Sequence, residues 1–285
     1  MKILGASQFV SERMKIRPVT NAELDQIRQD MNADKYEFTD GMQYYVGHVL
    51  HRIQALKDIP SKGVKKGDLG GWIESYDNLD QKGDCWVADK ACVYDDAKVY
   101  GNALVSGNAT VCDRAQVYGE AHISDNAKVY SDAQVFDDAI ISSYANVFGE
   151  AKVYGEAKVN DHARVWGSAE VYDNAKLLEN ANVHGKCYVC ENACIKDNAE
   201  IYGYATIRGD AIVYGKTYVH GKCKLYGHVK VYGNAQVFDN AEVYDNAEVY
   251  GNAQVYGYAE ISGNSTINGS SKVTYDIKDN KRLDN

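Results

Sequence analysis

The chain is short of several things, and each shortage narrows the reading. Only two of its 285 residues are proline, against twenty-five glycines. Turns are therefore left to Gly, Asn and Asp, which tolerate left-handed backbone. No apolar run approaches the ~18 residues that a membrane-spanning helix needs, although hydrophobic residues make up 45% of the chain. The opening, MKILGASQFVSERMK, has a short apolar stretch broken by Ser7 and Gln8, which does not form the apolar core of a secretory signal. Seven cysteines, an odd number scattered along the chain, do not make a disulfide framework. These absences predict a reduced, cytoplasmic protein with no membrane association.

Positive charge is also scarce. The formal net charge is −9. Residues 1–72 carry eleven Lys/Arg and nine Asp/Glu, and the remainder carries twenty and thirty-one. An acidic body disfavours binding to nucleic-acid phosphates. An acidic mimic of DNA is a different matter, and magnitude decides it. A duplex carries one charge per about 1.7 Å, so roughly thirty over about 50 Å. The body's net −11, interleaved with lysine, falls well short.

What the chain has in abundance is a period of six. From residue 87 to residue 273 every sixth position is Val, Ile or Leu, thirty-two in succession without an insertion. Two residues earlier stands a small side chain, alanine at twenty-five of the thirty-two. Two residues later come Gly or Asp, then commonly Asn. The sentence A-x-V-(Y)-(G/D)-(N) alternates inward and outward like a short strand, then turns a corner. Helical spacing of three and four is excluded, as is a five-residue solenoid. Three strands and three corners make an eighteen-residue triangular coil, and coils stack at about 4.8 Å. Thirty-two hexads give about 10–11 coils and a prism roughly 50 Å long.

This pattern resembles the left-handed parallel β-helix of the hexapeptide-repeat superfamily, over about two-thirds of the chain. Val243 with Ala247, and Val249 with Ala253, fit that family's aliphatic-then-small sentence. An aromatic follows the aliphatic residue at seventeen of thirty-two positions, where the family often has Gly. The expected fold is thus an all-β triangular solenoid with a small α+β N-terminal cap. Residues 1–35 form an N-terminal segment whose Thr20-Asn21-Ala22-Glu23 capping box opens a short helix. Residues 36–84 form a cap with a hairpin turning at Asp40-Gly41, residues 85–275 form the solenoid, and residues 276–285 a flexible tail. Gly70-Gly71-Trp72-Ile73, Asn78-Leu79 and Gly83-Asp84-Cys85-Trp86 lead into the first hexad. They resemble a bacterial and prophage subgroup of β-helix proteins catalogued as putative acyltransferases. Trp72 is expected to anchor the cap in the first coil, a structural role for this Gly-Gly-Trp.

The resemblance implies two functions of different class. One is acyl transfer by a trimer with a histidine base, for which His122, His162, His184, His220 and His228 are the candidates. The unbroken hexads lack the extruded loop that such enzymes use to cover the acyl carrier, and a convex prism offers no pocket holding base, orienting partner and substrate together. The other is a non-catalytic interaction or sequestration protein. The prophage resemblance points it towards a host defence component. We expect the second, with no cofactor and no metal. Cys187, Cys190 and Cys194 look like a metal cluster, but the register puts one inside and the others on different faces. The expected partner is a protein or small ligand, and a homo-oligomer, dimer or trimer, is compatible with either function.

Register also sorts the outward residues into three columns. One, running Tyr100, Tyr118, Phe136, Tyr154 and Tyr172, reads as a stabilising ring ladder. A second brings His184, Tyr202 and His220 to successive coils near Arg208, a secondary candidate for an anion or flat ligand. The third breaks the rule: Ala88, Ser106, Ser124, Ser142 and Asn160 stand where rings are expected. Beside them the outward positions are Trp86, Leu104, His122 and Ile140. A flat strip with apolar groups in line wants cover. That cover is either residues 1–35 folded back across it or a second molecule. Trp86, Leu104, Ser106, His122, Ser124, Ile140 and Ser142 are therefore the primary binding candidates.

Overall fold

The structure, a computed structural model, describes residues 34–284. The expected helix at Thr20–Met31 and the fold-back of residues 1–35 lie outside the described residues, apart from the last two positions. From Trp86–Val87 to Lys272–Val273 a short strand recurs every six residues with none gained or lost. Each strand pairs in parallel with the strand eighteen residues on, as in Trp86↔Leu104 and Lys128↔Asn146. The result is a parallel β-solenoid of about twelve turns of about eighteen residues. Its strands form three sheets of fourteen, twelve and ten strands, here the first, second and third walls.

The local chemistry follows the sentence. The alanine and valine of each hexad are buried, as in Ala163 and Val165 at 0% exposure. Each such valine contributes roughly 1.5–3 kcal/mol relative to an exposed one, as an upper figure. The small slot is what lets three walls close on one another. Corners hold positive φ, for example 54° at Asp173 and 78° at Gly185. Aspartate does more there than tolerate the conformation. The Asp125 carboxylate accepts the Ser143 N–H at 3.0 Å, and that of Asp245 accepts the Gly263 N–H at 3.0 Å. A glycine corner can receive this bond through its N–H but has no carboxylate to extend it to the next coil.

Outward rings stack as expected and further. On the first wall eight rings from Tyr130 to Tyr256 form one column, with centroids 4.2 to 5.8 Å apart. The third wall stacks Tyr100 to Tyr172 and resumes at Tyr226 and Tyr244. The second wall has stacked rings only at Tyr214, Tyr232 and Tyr250. Each neighbouring pair contributes about 0.5–1 kcal/mol.

The cap departs from expectation in two ways. Its hairpin, β1 (Tyr36–Tyr45) and β2 (His48–Ala55), turns at Val46-Gly47 and not at Asp40-Gly41. Both turn residues have positive φ, 48° and 95°, as a two-residue hairpin turn requires. A β-branched residue is a poor signal for that conformation. Asp40-Gly41 lies in a bulge between Phe38 and Met42. β3 (Leu69–Ile73) then pairs antiparallel with β2 and parallel with Cys92–Val93. One strand thus welds the hairpin to the first wall.

Second, Trp72 is not the anchor in the core. It lies half-buried on the outer side of that strand beside Leu50, Cys92 and Tyr94, with the Arg52 guanidinium 5.3 Å from its ring. The core anchor is Trp86, 2% exposed, met edge-on by Tyr36 at 6.4 Å. The glycines earlier in the motif make room for it. A Cβ on Gly70 would lie 2.5 Å from Ile53 and 2.6 Å from the Trp86 ring, and one on Gly71 2.7 Å from the Ala91 carbonyl. The motif's Asn78 is also structural, donating to the carbonyls of Asp95 and Ala97 while accepting the N–H groups of Glu74 and Ser75. Lys35 closes the end of the core. Fully buried, its ammonium sits 3.0 Å from Cys85 Sγ and 3.4 Å from the carbonyls of Lys82 and Gly83.

The other end is also built. Residues 276–284 are not a flexible tail: Ile277 is buried and bridges Ile261, and Arg282–Asp284 pairs with Thr266–Asn268. This closing turn is two residues shorter than the others, so the period of six does not reveal it.

Replacing Gly70 with Ala is expected to drive the lead-in off Trp86. Overpacking of this kind costs about 1–3 kcal/mol. Thermal unfolding should shift down, and the tryptophan emission should move to the red.

Candidate functional site

The register of the second wall brings the primary candidates into line. Trp86 neighbours Leu104, Leu104 neighbours His122, His122 neighbours Ile140, and Ile140 neighbours Lys158. The ring column beside them is small, as expected: Ser106 hydrogen-bonds His122 Nε2 at 3.1 Å, and Ser142 donates to Asn160 at 2.8 Å. Exposure along the line is uneven. Trp86 is covered by the cap and is no surface residue. Leu104 and Ala88 are partly buried against the core, together with Phe38 and Val64 of the cap. The cap's short 3-10 turn, Pro60–Lys62, sends Lys62 to within 3.5 Å of Glu120, and that lysine side chain is itself only 10% exposed. Cover at the N-terminal end of the strip thus comes from residues 36–64. Ser124, Ile140 and Ser142 lie beyond it, each half-buried.

His122 is the titratable member of the strip. Burial lowers its pKa from the ordinary 6.5, the nearby Lys62 ammonium lowers it further, and Asp125 opposes both. A neutral imidazole here accepts from Ser106 or donates to it.

The secondary candidates separate. His184, Tyr202 and His220 stack directly in the first-wall column at 5.2 and 4.7 Å. Arg208 stands in the third-wall column, stacked on Tyr226 at 5.1 Å. His184 is bound instead to Glu200, at 3.1 Å. Being ring rungs, these histidines present edges to solvent and not faces to a ligand. Of the remaining histidines, His162 stacks on Tyr144 and His228 pairs with Asp210 at 3.2 Å. Cys187 is inside the prism, Cys190 in the third-wall column and Cys194 on the second wall.

Two features of the cap escaped the sequence reading, because its period of six does not operate there. The hairpin exposes Met42, Tyr44, Val46 and Val49 at 49–77%. The junction with the first coil gathers His48, Glu74 and Asp95. Alternation within Met42–Val46 was a signal for the first; nothing local signals the second.

With this geometry in view, known proteins add one match. Residues 97–113, about one coil, match the family model described as YdcK beta solenoid repeat. No curated protein matches the chain. The match supports a β-solenoid repeat protein and extends no further. Among the described residues no helix is long and apolar enough to cross a membrane.

Because burial holds His122 neutral, protonating it costs more in the folded chain than in the unfolded one. Stability should therefore fall as pH drops through about 6.5 and level off below the lowered pKa. Thermal unfolding between about pH 8 and about pH 5 is expected to show a smaller acid loss for His122→Gln than for the parent chain.

Proposed function

We propose that this protein is a non-catalytic scaffold whose second wall docks another macromolecule over Leu104, Ser106, His122, Ser124, Ile140 and Ser142. One observation carries the reading. Rings fill most of the first and third walls, but between Leu104 and Asn160 the strands of the second wall carry no outward ring except the His122 imidazole, and apolar groups stand in line with it. Small side chains there expose a regular backbone surface on which a partner can lie closely. The edge of the cap supplies a boundary at Lys62. The likeness of the lead-in to prophage-borne solenoids supports a narrower form, in which the partner is a bacterial host protein such as a defence component. A dimer using the same wall is a further form of this reading.

Acyl transfer is less well supported, and the reason is electrostatic. A groove of about 600 Å³ runs along the edge between the third and second walls. Glu120, Asp137, Asp138, Glu156 and Asp173 line it. Such a groove repels the phosphates of an acyl carrier.

The test uses substitutions the fold already accommodates elsewhere. Ser124→Tyr with Ser142→Tyr places rings where the other walls carry them, so folding should be retained while the wall gains bulk. The parent chain, used as bait in a bacterial lysate, is expected to enrich a specific protein that the double variant loses. With that protein purified, the variant's affinity should fall at least about tenfold, or about 1.4 kcal/mol. Equal binding by both chains would refute the wall as the docking site, and micromolar heats with acyl-CoA would favour acyl transfer.

A further inference from the structure

Where the cap meets the first coil, three separate segments bring ionisable groups to one point. His48 comes from the start of β2, Glu74 from the residue after β3, and Asp95 from the first corner beyond Cys92–Val93. His48 Nδ1 and Glu74 Oε1 are 3.0 Å apart, a hydrogen-bond length. With the proton on Nδ1 donated to Glu74, the lone pair on Nε2 faces outward from that pair. It faces Asp95 Oδ1 at 3.5 Å. That is long for a hydrogen bond. It is, however, the edge of a tetrahedron whose centre lies about 2.0–2.2 Å from each ligand atom, the bond length of zinc to imidazole and carboxylate.

The surroundings hold both ligands in place. Glu74 uses its second oxygen to accept the Asp95 N–H at 2.8 Å. The second oxygen of Asp95 accepts the Asp113 N–H at 3.2 Å, leaving Oδ1 directed at the histidine. The Tyr94 ring lies 4.7 Å from the imidazole and limits its rotation. A carboxylate orienting the far nitrogen of a histidine is the usual outer partner of a metal-bound imidazole.

An independent sequence feature points to the same place. The first-wall column carries a ring at every coil from Tyr94 to Tyr256 except one, Cys112. Its sulfur and the Asp113 carboxylate each lie within 4.8 Å of the Asp95 ligand atom. A thiol therefore interrupts the ladder at the coil where a further ligand is needed. Two carboxylates flank the imidazole, and the His48 and Asp95 side chains are 26% and 32% exposed, so a cation has both attraction and access.

We propose that this junction binds a divalent transition cation of borderline softness, such as zinc, through His48 Nε2 and Asp95. Glu74 orients the histidine, and Cys112 or Asp113, which neighbour Asp95 in a second cluster, must turn toward the ion to supply the third ligand. The nitrogen, oxygen and sulfur set disfavours magnesium and calcium, which prefer oxygen alone. A bound ion would staple the hairpin, the lead-in and the first coil together.

The test uses the untagged full chain, stripped with a chelator and titrated with Zn²⁺ by calorimetry and with Co²⁺ by absorption. One equivalent is expected, with the visible bands of four-coordinate cobalt and a raised unfolding temperature. His48→Ala and Asp95→Asn should each weaken binding about 100-fold or more, and Glu74→Gln about 10–100-fold. Circular dichroism checks that each variant keeps the solenoid. Loss of a thiolate-to-cobalt band in Cys112→Ser supports the site with sulfur as third ligand, whereas weakening only in Asp113→Asn supports it with oxygen. Absence of saturable binding, or binding unaffected by His48→Ala and Asp95→Asn, overturns the proposal and leaves His48 as a cationic clamp between two carboxylates.

Discussion

Backbone hydrogen bonds that run from an N–H to the carbonyl seventeen residues on hold every coil on the next. Trp86 N–H donates to Ala103, Leu104 N–H to Ala121 and His122 N–H to Ala139, each at 2.9 Å. The ladder continues to the last hexads, as in Gln254 N–H to Ser271 at 2.8 Å. Because each bond reaches one coil and no further, a residue gained or lost within a strand would turn its inward side chains outward. The strict count of six answers that constraint. It also accounts for the narrow vocabulary of inward positions, where alanine prevails and Thr217 and Val229 are among the larger exceptions, both fully buried.

The same constraint makes the two ends costly, and they are closed by different means. At the front, the chain gains two residues in the first coil: Ile73 pairs with Val93 and Leu79 with Val99. The hairpin, Trp86 and the buried Lys35 ammonium then cover the open core. At the back, the chain loses two residues, and Ile277 fills the last inward place of the third wall. The hairpin thus extends the first wall at the front and Arg282–Asp284 extends the second at the back, while Lys272–Val273 stays the last strand of the first wall.

Both proposed sites are departures from the repeat. Where rings continue, a wall is covered by its own ladder. Where they stop, backbone and small side chains become available, as beside Leu104 and Ile140. Where one ring is replaced by Cys112, a thiol comes within reach of Asp95. These departures cluster in the first coils, under and beside the cap. The cap, then, both closes the core and gives one region of a monotonous surface its distinct chemistry.

The sequence by itself determined the inside and outside of the prism, the number of walls and the wall on which each outward residue stands. It did so because inward packing allows only one register, and that register is written in every hexad. The line Trp86, Leu104, His122, Ile140 was legible for the same reason. Tertiary structure alone decided that the cap buries Trp86 and that Trp72 faces outward. It alone brought His48 to Asp95. Those outcomes depend on how an aperiodic hairpin folds over the first coil, and on contacts between residues far apart in the chain, which no local period records.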